Sequence, residues 1–396
     1  MARPLSRGTC PEAGLDTDEI AGIVPELTGW LRPDPGAGRP HPWCAGAVVL
    51  AGRGRTVALH EAVGWAARYR GYDGTADAAV ELPRERWLPA RPDTVFDLAS
   101  VTKLFTAVTA VRGVQDGVLD LDAPVAAHDP SLTAAAAHGI TLRHLLTHTS
   151  GLRPELPLYD EPDAAARAAR LAAEEPLTPP GTARVYSDLN LLLLQRVLER
   201  VSGHRVDRLI AETVTGPLGM ADTRFNPPAS LLPRVAATED QRRPWGKLDR
   251  GMVHGAVHDE NAHAMDGVAG HAGLFSTAWD LALFCRALLD DLAGTAPAKL
   301  LSPPFAARLL GAEPDPDGVR RPLGFEADQS WFMGELAGRG AVGHCGFTGT
   351  SLVLDPATDT FLVLLTNSVH PVRTWREGNA PRAQAATRLA RAAKAG

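Results

Sequence analysis

Lysine is scarce in this 396-residue sequence: Lys103, Lys247, Lys299 and Lys394 stand against 36 arginines. Cysteine is equally rare. Cys10, Cys44, Cys285 and Cys345 lie far apart with no C-x-x-C pairing, which fits free thiols in a reducing compartment better than a zinc knuckle or a disulfide frame. No run of about 18 apolar residues occurs, so no membrane-spanning helix is expected. The opening MARPLSRGTCPEAGLDTDEI lacks an apolar stretch and soon turns acidic; no secretory signal is expected, and the expected location is the cytoplasm. An excess of positive charge is missing too. The net charge is −6 and the isoelectric point is near 6.1, which argues against nucleic acid or an anionic membrane as partner.

What is present suits a soluble globular protein: 45% apolar and 22% charged residues. Helical periodicity predicts an N-terminal helix over 16–31 with Asp16 as cap, and helices in ITLRHLLTH, DAAARAARLAAEE and LNLLLLQRVLERVSG. GLFSTAWDLALFCRALLDDL reads as an amphipathic helix capped by Ser276 or Thr277, and APRAQAATRLARAAKA as a closing one. AGAVVLAGRG and TVALHEAVGW read as two strands joined by a tight turn; TSLVLD and FLVLLTN form a hairpin across DPATDT. Loops are expected up to about residue 95, over 222–266, and near 311–322.

Strands at both ends with helices between them predict an α+β fold. One antiparallel sheet is assembled from the two termini and flanked by helices. The expected divisions are 1–110 as the first part of the sheet domain, 111–270 as a mostly helical insertion, and 271–396 as the rest of the sheet domain.

The chemistry centres on FDLASVTKLFTA, residues 96–107. A helix starting at Ser100 puts Ser100 and Lys103 on one face, three residues apart. A serine hydroxyl is a poor nucleophile until its proton is removed, and lysine removes it only when neutral, which burial favours. A helix N-terminus disfavours the ammonium further and helps a forming oxyanion. Two further stretches bear on this pair. VYSDLN places Tyr186 beside Ser187 and Asp188, and the phenol could shuttle protons. VGHCGFTGTSLVLD puts His344 and Gly346 at the mouth of a strand, where glycine permits close approach and the next backbone N–H can complete an oxyanion hole. Taken singly, each stretch also reads as plain structure: a helix cap with a solvent-seeking lysine, a core tyrosine, a glycine-rich turn.

The ordered triple S-x-x-K, Y-S-D and H-x-G resembles the serine β-lactamase and penicillin-binding-protein superfamily. A related set, S-x-x-K with S-D-N and K-T-G, marks the class A enzymes. The tyrosine in the middle position makes the chain similar to the class C β-lactamase branch, with family VIII esterases, penicillin-binding-protein-4-like serine hydrolases and related transacylases closest. The likeness runs from about 40 to 370 and includes FDLASVTK, ITLRHLLTHTSGL, TPPGTARVYSDLN, GPLGMADTRFNPP and GHCGFTGTSL. It implies the β-lactamase/transpeptidase-like fold, Ser100 as the acylated nucleophile, Lys103 as its base partner and Tyr186 as second acid/base. It also implies oxyanion donors at Ser100 and Phe347, with His344, Gly346 and Asp188 lining the substrate site. Two departures stand out: Asp188 replaces the usual Asn, and His344 replaces the Lys of K-T-G, so a fixed charge for a substrate carboxylate is lost unless His344 is protonated.

The expected activity is acyl transfer from a small ester or amide to water, an amine or an alcohol, without a cofactor. A β-lactamase or D-alanyl-D-alanine carboxypeptidase, and an acylatable sensor without turnover, are the alternatives. A catalytic metal is a further one: His144 with His148, or His254, His258, Asp259, Glu260 and His263, offer ligand types, although no metal is expected.

Overall fold

The computed structural model describes residues 4–295, 299–311 and 319–393. Helix α1 (Thr17–Gly29) opens on Asp16, whose carboxylate accepts the Glu19 N–H at 3.0 Å. Strands β1 (Gly46–Arg53) and β2 (Thr56–Ala67) follow as an antiparallel hairpin. After a long helical middle come β3 (Val342–Cys345), β4 (Ser351–Asp355) and β5 (Thr360–Thr366), consecutive antiparallel neighbours. Strand β5 pairs antiparallel with β1, from Thr360 opposite Arg53 to Thr366 opposite Ala47. The two ends of the chain therefore build one sheet, as expected. At its margins the short strand Glu326–Ala327 adds to β3 and Ser6–Arg7 adds to β2. The Ser6–Arg7 pairing is parallel, an exception to the antiparallel expectation.

The sheet is covered on both faces, and the side-chain alternation shows why. Ala47, Val49, Ala51, Val353, Leu362 and Leu364 face α1 and the closing helix Ala380–Ala392. Val48, Leu50, Leu352, Leu354, Val363 and Leu365 face the larger core. A buried Val or Leu contributes about 1.5–3 kcal/mol, so a one-residue register slip would forfeit both layers.

Helix α2 (Thr102–Gln115) runs through the larger core and is buried from Thr102 to Val111. Its Phe105 stacks on Phe284 of the helix Ala278–Ala293, centroids 4.5 Å apart. That helix is capped by Thr277, whose hydroxyl accepts the Asp280 N–H. Helix α3 (Asp188–Ser202) packs beside α2 and is capped by Ser187. The segment between α2 and the strand Leu274–Ser276 is mostly short helices and loops.

Three local expectations are corrected. Residues 68–95 are not simply loop: Tyr69–Asp73 and Ala78–Glu81 form a hairpin, held by Tyr72 and Trp375 in a cluster built from distant chain segments. The 222–266 stretch contains a ribbon of Asp240–Gln241 with Gly251–Met252 and a short helix, Glu260–Ala264. The regular helix starts at Thr102 rather than Ser100, because Ser100 lies in a tight turn over Ala99–Val101. The loop expected near 311–322 falls partly outside the described residues.

Candidate active site

Ser100 sits where a short strand, Phe96–Asp97, turns into α2. Ala99 has φ +46°, a left-handed conformation that costs an L-residue roughly 1–2 kcal/mol. Its surroundings hold it there. The buried Asp97 carboxylate accepts the N–H groups of Ala99 at 2.8 Å and His258 at 2.6 Å. Thr348 and Thr350 hydroxyls donate to the carbonyls of Asp97 and Leu98 at 2.7 and 2.9 Å. The turn presents the Ser100 hydroxyl to Lys103, whose Nζ donates to Ser100 Oγ at 2.8 Å.

Lys103 is fully buried. Its Nζ also lies 2.8 Å from Asp188 Oδ1 and donates to the His271 carbonyl at 3.2 Å. Burial pulls the amine toward neutrality, but the Asp188 carboxylate, helped by the Tyr186 hydroxyl, outweighs it and holds Lys103 above its ordinary value. The neutral amine expected from burial is therefore not the resting state. Asp188, at the first position of α3, is the residue that reverses the expectation.

Tyr186 is 37% exposed, yet its hydroxyl end is turned toward Lys103 and Ser100. Burial pushes the phenol up to about 12, against the pull of Lys103. Its ring leans on two imidazoles, His148 at 4.7 Å and His344 at 5.9 Å between centroids. His148 Nδ1 accepts the Ser187 N–H at 3.2 Å and so ties the Tyr186 segment to the preceding helix–turn. Burial, reinforced by Lys103, drives His148 well below its usual value and His344 down to about 4. His344 is thus neutral near pH 7, and the charge it replaces is not restored.

The turn joining β3 to β4 brings Gly346 and Phe347 against the Ser100 turn. A Cβ on Gly346 would lie 2.3 Å from both the Leu98 carbonyl and Thr350 Oγ1, so only glycine fits. Gly349, at φ +115°, closes the turn. Among the described residues no protein acceptor is found for the backbone N–H groups of Ser100 or Phe347. The buried Arg382 fixes the turn by donating to the Gly346 carbonyl at 2.7 Å. The Phe347 ring is packed between His258 and the Arg376 guanidinium.

The histidine sets weighed as metal ligands do not converge. His144 caps its own helix through Thr141, and His148 faces Ser187. His254 contacts the Val235 carbonyl, His258 pairs with Glu239, and Glu260 pairs with Arg373. Among the described residues the grouping with metal-like spacing is Asp188, Asp259 and His271, each with a ligand atom within 4.8 Å of the others. The Lys103 ammonium already supplies positive charge there. His271 was not legible as a site residue, and Asp259 entered only in the metal-ligand set: His271 Nε2 pairs with Asp259 Oδ1 at 2.9 Å, while the His271 carbonyl holds Lys103. No periodicity signals a backbone carbonyl in that role.

The family model described as Beta-lactamase matches residues 38–387. The chain belongs to the Beta-lactamase family. Its fold is accordingly β-lactamase/transpeptidase-like, α+β, in a family of serine acyl-transferring hydrolases acting on small molecules. A Salmonella paratyphi A protein with an inferred D-alanyl-D-alanine carboxypeptidase activity is 28% identical over 397 residues, covering 92% of this chain and 86% of its own. Among solved structures, EstCE1, a hydrolase with promiscuous acyltransferase activity, is similar at 22% identity and a TM-score of 0.66, covering 94% of this chain and 98% of that one. A simvastatin synthase variant of Aspergillus terreus is similar at 21% identity and 0.64, covering 97% and 98%. These two show likeness of fold. Among the described residues no helix is long and apolar enough to cross a membrane.

Proposed function

We propose that this β-lactamase-family chain is a serine esterase or transacylase working through a covalent acyl-enzyme on Ser100. The observation that carries the reading is the contact of Ser100 Oγ with the buried Lys103 Nζ, 2.8 Å, beside two backbone N–H groups without protein acceptors. Ser100 attacks the carbonyl of a small ester or amide, with Lys103 and Tyr186 handling its proton. The oxyanion rests on the N–H groups of Ser100 and Phe347, each worth something like 2.7–4 kcal/mol of barrier. Gly346 lets the Phe347 N–H come close, and His344 and Asp188 border the substrate. Water, an amine or an alcohol then takes the acyl group. The free, scattered cysteines support a cytoplasmic setting.

The second reading is β-lactamase or D-alanyl-D-alanine carboxypeptidase, and the Salmonella relative favours the latter of these. Those substrates carry a carboxylate, and His344, neutral near pH 7, offers it no fixed charge. Esterase or transacylase chemistry is therefore preferred.

Intact-protein mass spectrometry after mixing with p-nitrophenyl acetate, with and without a panel of amines, tests the reading. An acetyl adduct lost in Ser100→Ala, and released faster by an amine, is expected; turnover unchanged in Ser100→Ala refutes the nucleophile. Nitrocefin turnover faster than ester turnover would reverse the ranking of the two readings.

A further inference from the structure

The Lys103 ammonium donates to Ser100 Oγ and to the His271 carbonyl, and it lies 2.8 Å from Asp188 Oδ1 in an ion pair that does not meet hydrogen-bond geometry. In this arrangement no lone pair is left to accept the serine proton. For Lys103 to act as a base it must first lose a proton, and the three oxygens beside it differ in their ability to take it. A peptide carbonyl is too weakly basic, and Ser100 is the group to be deprotonated. Only the carboxylate of Asp188 is a base of the right kind.

The other groups facing Lys103 are engaged elsewhere or already protonated. Tyr186 is a phenol raised to about 12. Asp259, though burial opposes its charge, is held low by His271, the Ala262 N–H and Lys103. His148 and His344 are neutral imidazoles, and no contact joins them to Nζ within hydrogen-bonding distance. Arg184, which acts on both from farther out, is paired with Glu326 at 2.6 Å. Among the described residues Asp188 has no side-chain partner except Lys103. Its side chain is 21% exposed, so it is neither sealed off nor dissolved in bulk water.

We infer that Asp188 is the proton acceptor for Lys103, making this lysine a relay between Ser100 and a carboxylate rather than a base that is neutral beforehand. The inference rests on the acyl-transfer reading of Ser100. In acylation, the Lys103 ammonium gives one proton to Asp188, and the resulting amine takes the Ser100 hydroxyl proton. The serine oxygen pair forms the C–O bond while the carbonyl π pair moves onto oxygen. When the carbonyl re-forms, the leaving group departs with its bonding pair and takes a proton from Lys103. Asp188 then returns its proton to the amine, so the ion pair is restored and no net proton is gained or lost. In this role Asp188 acts through Lys103 and not on the reacting carbon; it is a positioning residue.

The consequence is a pH profile. Because the proton stays within the cluster, wild-type acylation is nearly flat from about pH 6 to about pH 9. In Asp188→Asn the largest influence raising Lys103 is gone and burial pulls the amine down, so the rate must wait for Lys103 to lose its proton to water. The acylation rate then falls about tenfold per pH unit below the new Lys103 midpoint. The experiment is single-turnover acylation by p-nitrophenyl acetate across that range for wild type, Asp188→Asn and Asp188→Glu, with thermal melts of each. A sloping profile for Asn, with Glu restoring flatness, supports the relay. Profiles that run parallel for wild type and Asn overturn it, including an Asn profile lowered by one constant factor as a merely structural role would give. The Ser100 reading fails separately, by the absence of a wild-type adduct or its persistence in Ser100→Ala.

Discussion

Gly346→Ala is the sharpest perturbation of the site that leaves Ser100, Lys103 and Tyr186 unsubstituted. The added Cβ would sit 2.3 Å from the Leu98 carbonyl and 2.3 Å from Thr350 Oγ1, where ordinary contacts begin at about 3.4 Å. The overlap is about 1 Å on two sides, and one side is backbone that Thr350 itself holds at 2.9 Å. The methyl cannot be accommodated by a rotamer change, so the β3–β4 turn must withdraw from the Ser100 turn by a comparable distance. The Phe347 N–H rides on that turn, and a hydrogen bond stretched by about 1 Å is largely lost. One oxyanion donor is worth about 2.7–4 kcal/mol, which corresponds to a loss of about 10²–10³ in kcat/KM at 1.36 kcal/mol per tenfold. The assay is kcat/KM for p-nitrophenyl acetate beside a thermal melt. The loss should fall on kcat, since the oxyanion exists only in the transition state. A folded Gly346→Ala protein with kcat/KM within twofold of wild type would refute the placement of Phe347 in the oxyanion hole.

Two further outcomes follow from the same geometry. Lys103→Ala and Tyr186→Phe should each lower ester turnover by about 10²–10⁴ while leaving the melt cooperative; wild-type-like rates in either variant would remove that residue from the proton path. The third test concerns stability. Burial holds His344 at about 4 in the folded chain against 6.5 for an unperturbed histidine. Its contribution to stability is complete above about pH 6.5 and is lost as pH falls from there toward 4, at about 1.36 kcal/mol per pH unit. Urea unfolding of His344→Asn between those limits should show a slope lower by about that amount, and an unchanged slope would contradict a buried neutral imidazole.

Much of the fold is legible in the sequence because the sheet strands carry a strict two-residue alternation. VVL in β1 and LVL in β4 and β5 send neighbours to opposite covered faces, and Asp16, Thr277 and Ser187 mark helix starts through their side-chain acceptors. The hairpin over 69–81 is opaque for the opposite reason. Its stability comes from Tyr72 against Trp245 and Trp375, residues more than 170 positions away, and local pattern cannot report such packing. The ribbon at Asp240–Gln241 is equally dependent on distant groups, with Asp240 donating its N–H to the Pro371 carbonyl.

The site divides along a different line. Positions were readable, since Ser100, Lys103, Tyr186 and Gly346 each stand in a short stretch of distinctive text, and the structure brings all four to one place. Charge state was not. From the sequence, a lysine buried in a helix reads as an amine on its way to neutrality, because burial acts on every buried lysine alike. Whether it stays charged depends on one oxygen 2.8 Å away, on a residue 85 positions later. An amide at that position would also offer an oxygen there, but only the carboxylate of Asp188 offers a negative charge. Similarly, His344 was read as a conditional charge, and only its enclosure fixes it as neutral. The two departures from the family pattern therefore act together: one removes a cation from the substrate side, and the other adds an anion on the lysine side. Near Ser100 the balance shifts toward negative charge, and under the proposed function this disfavours carboxylate-bearing substrates relative to uncharged esters.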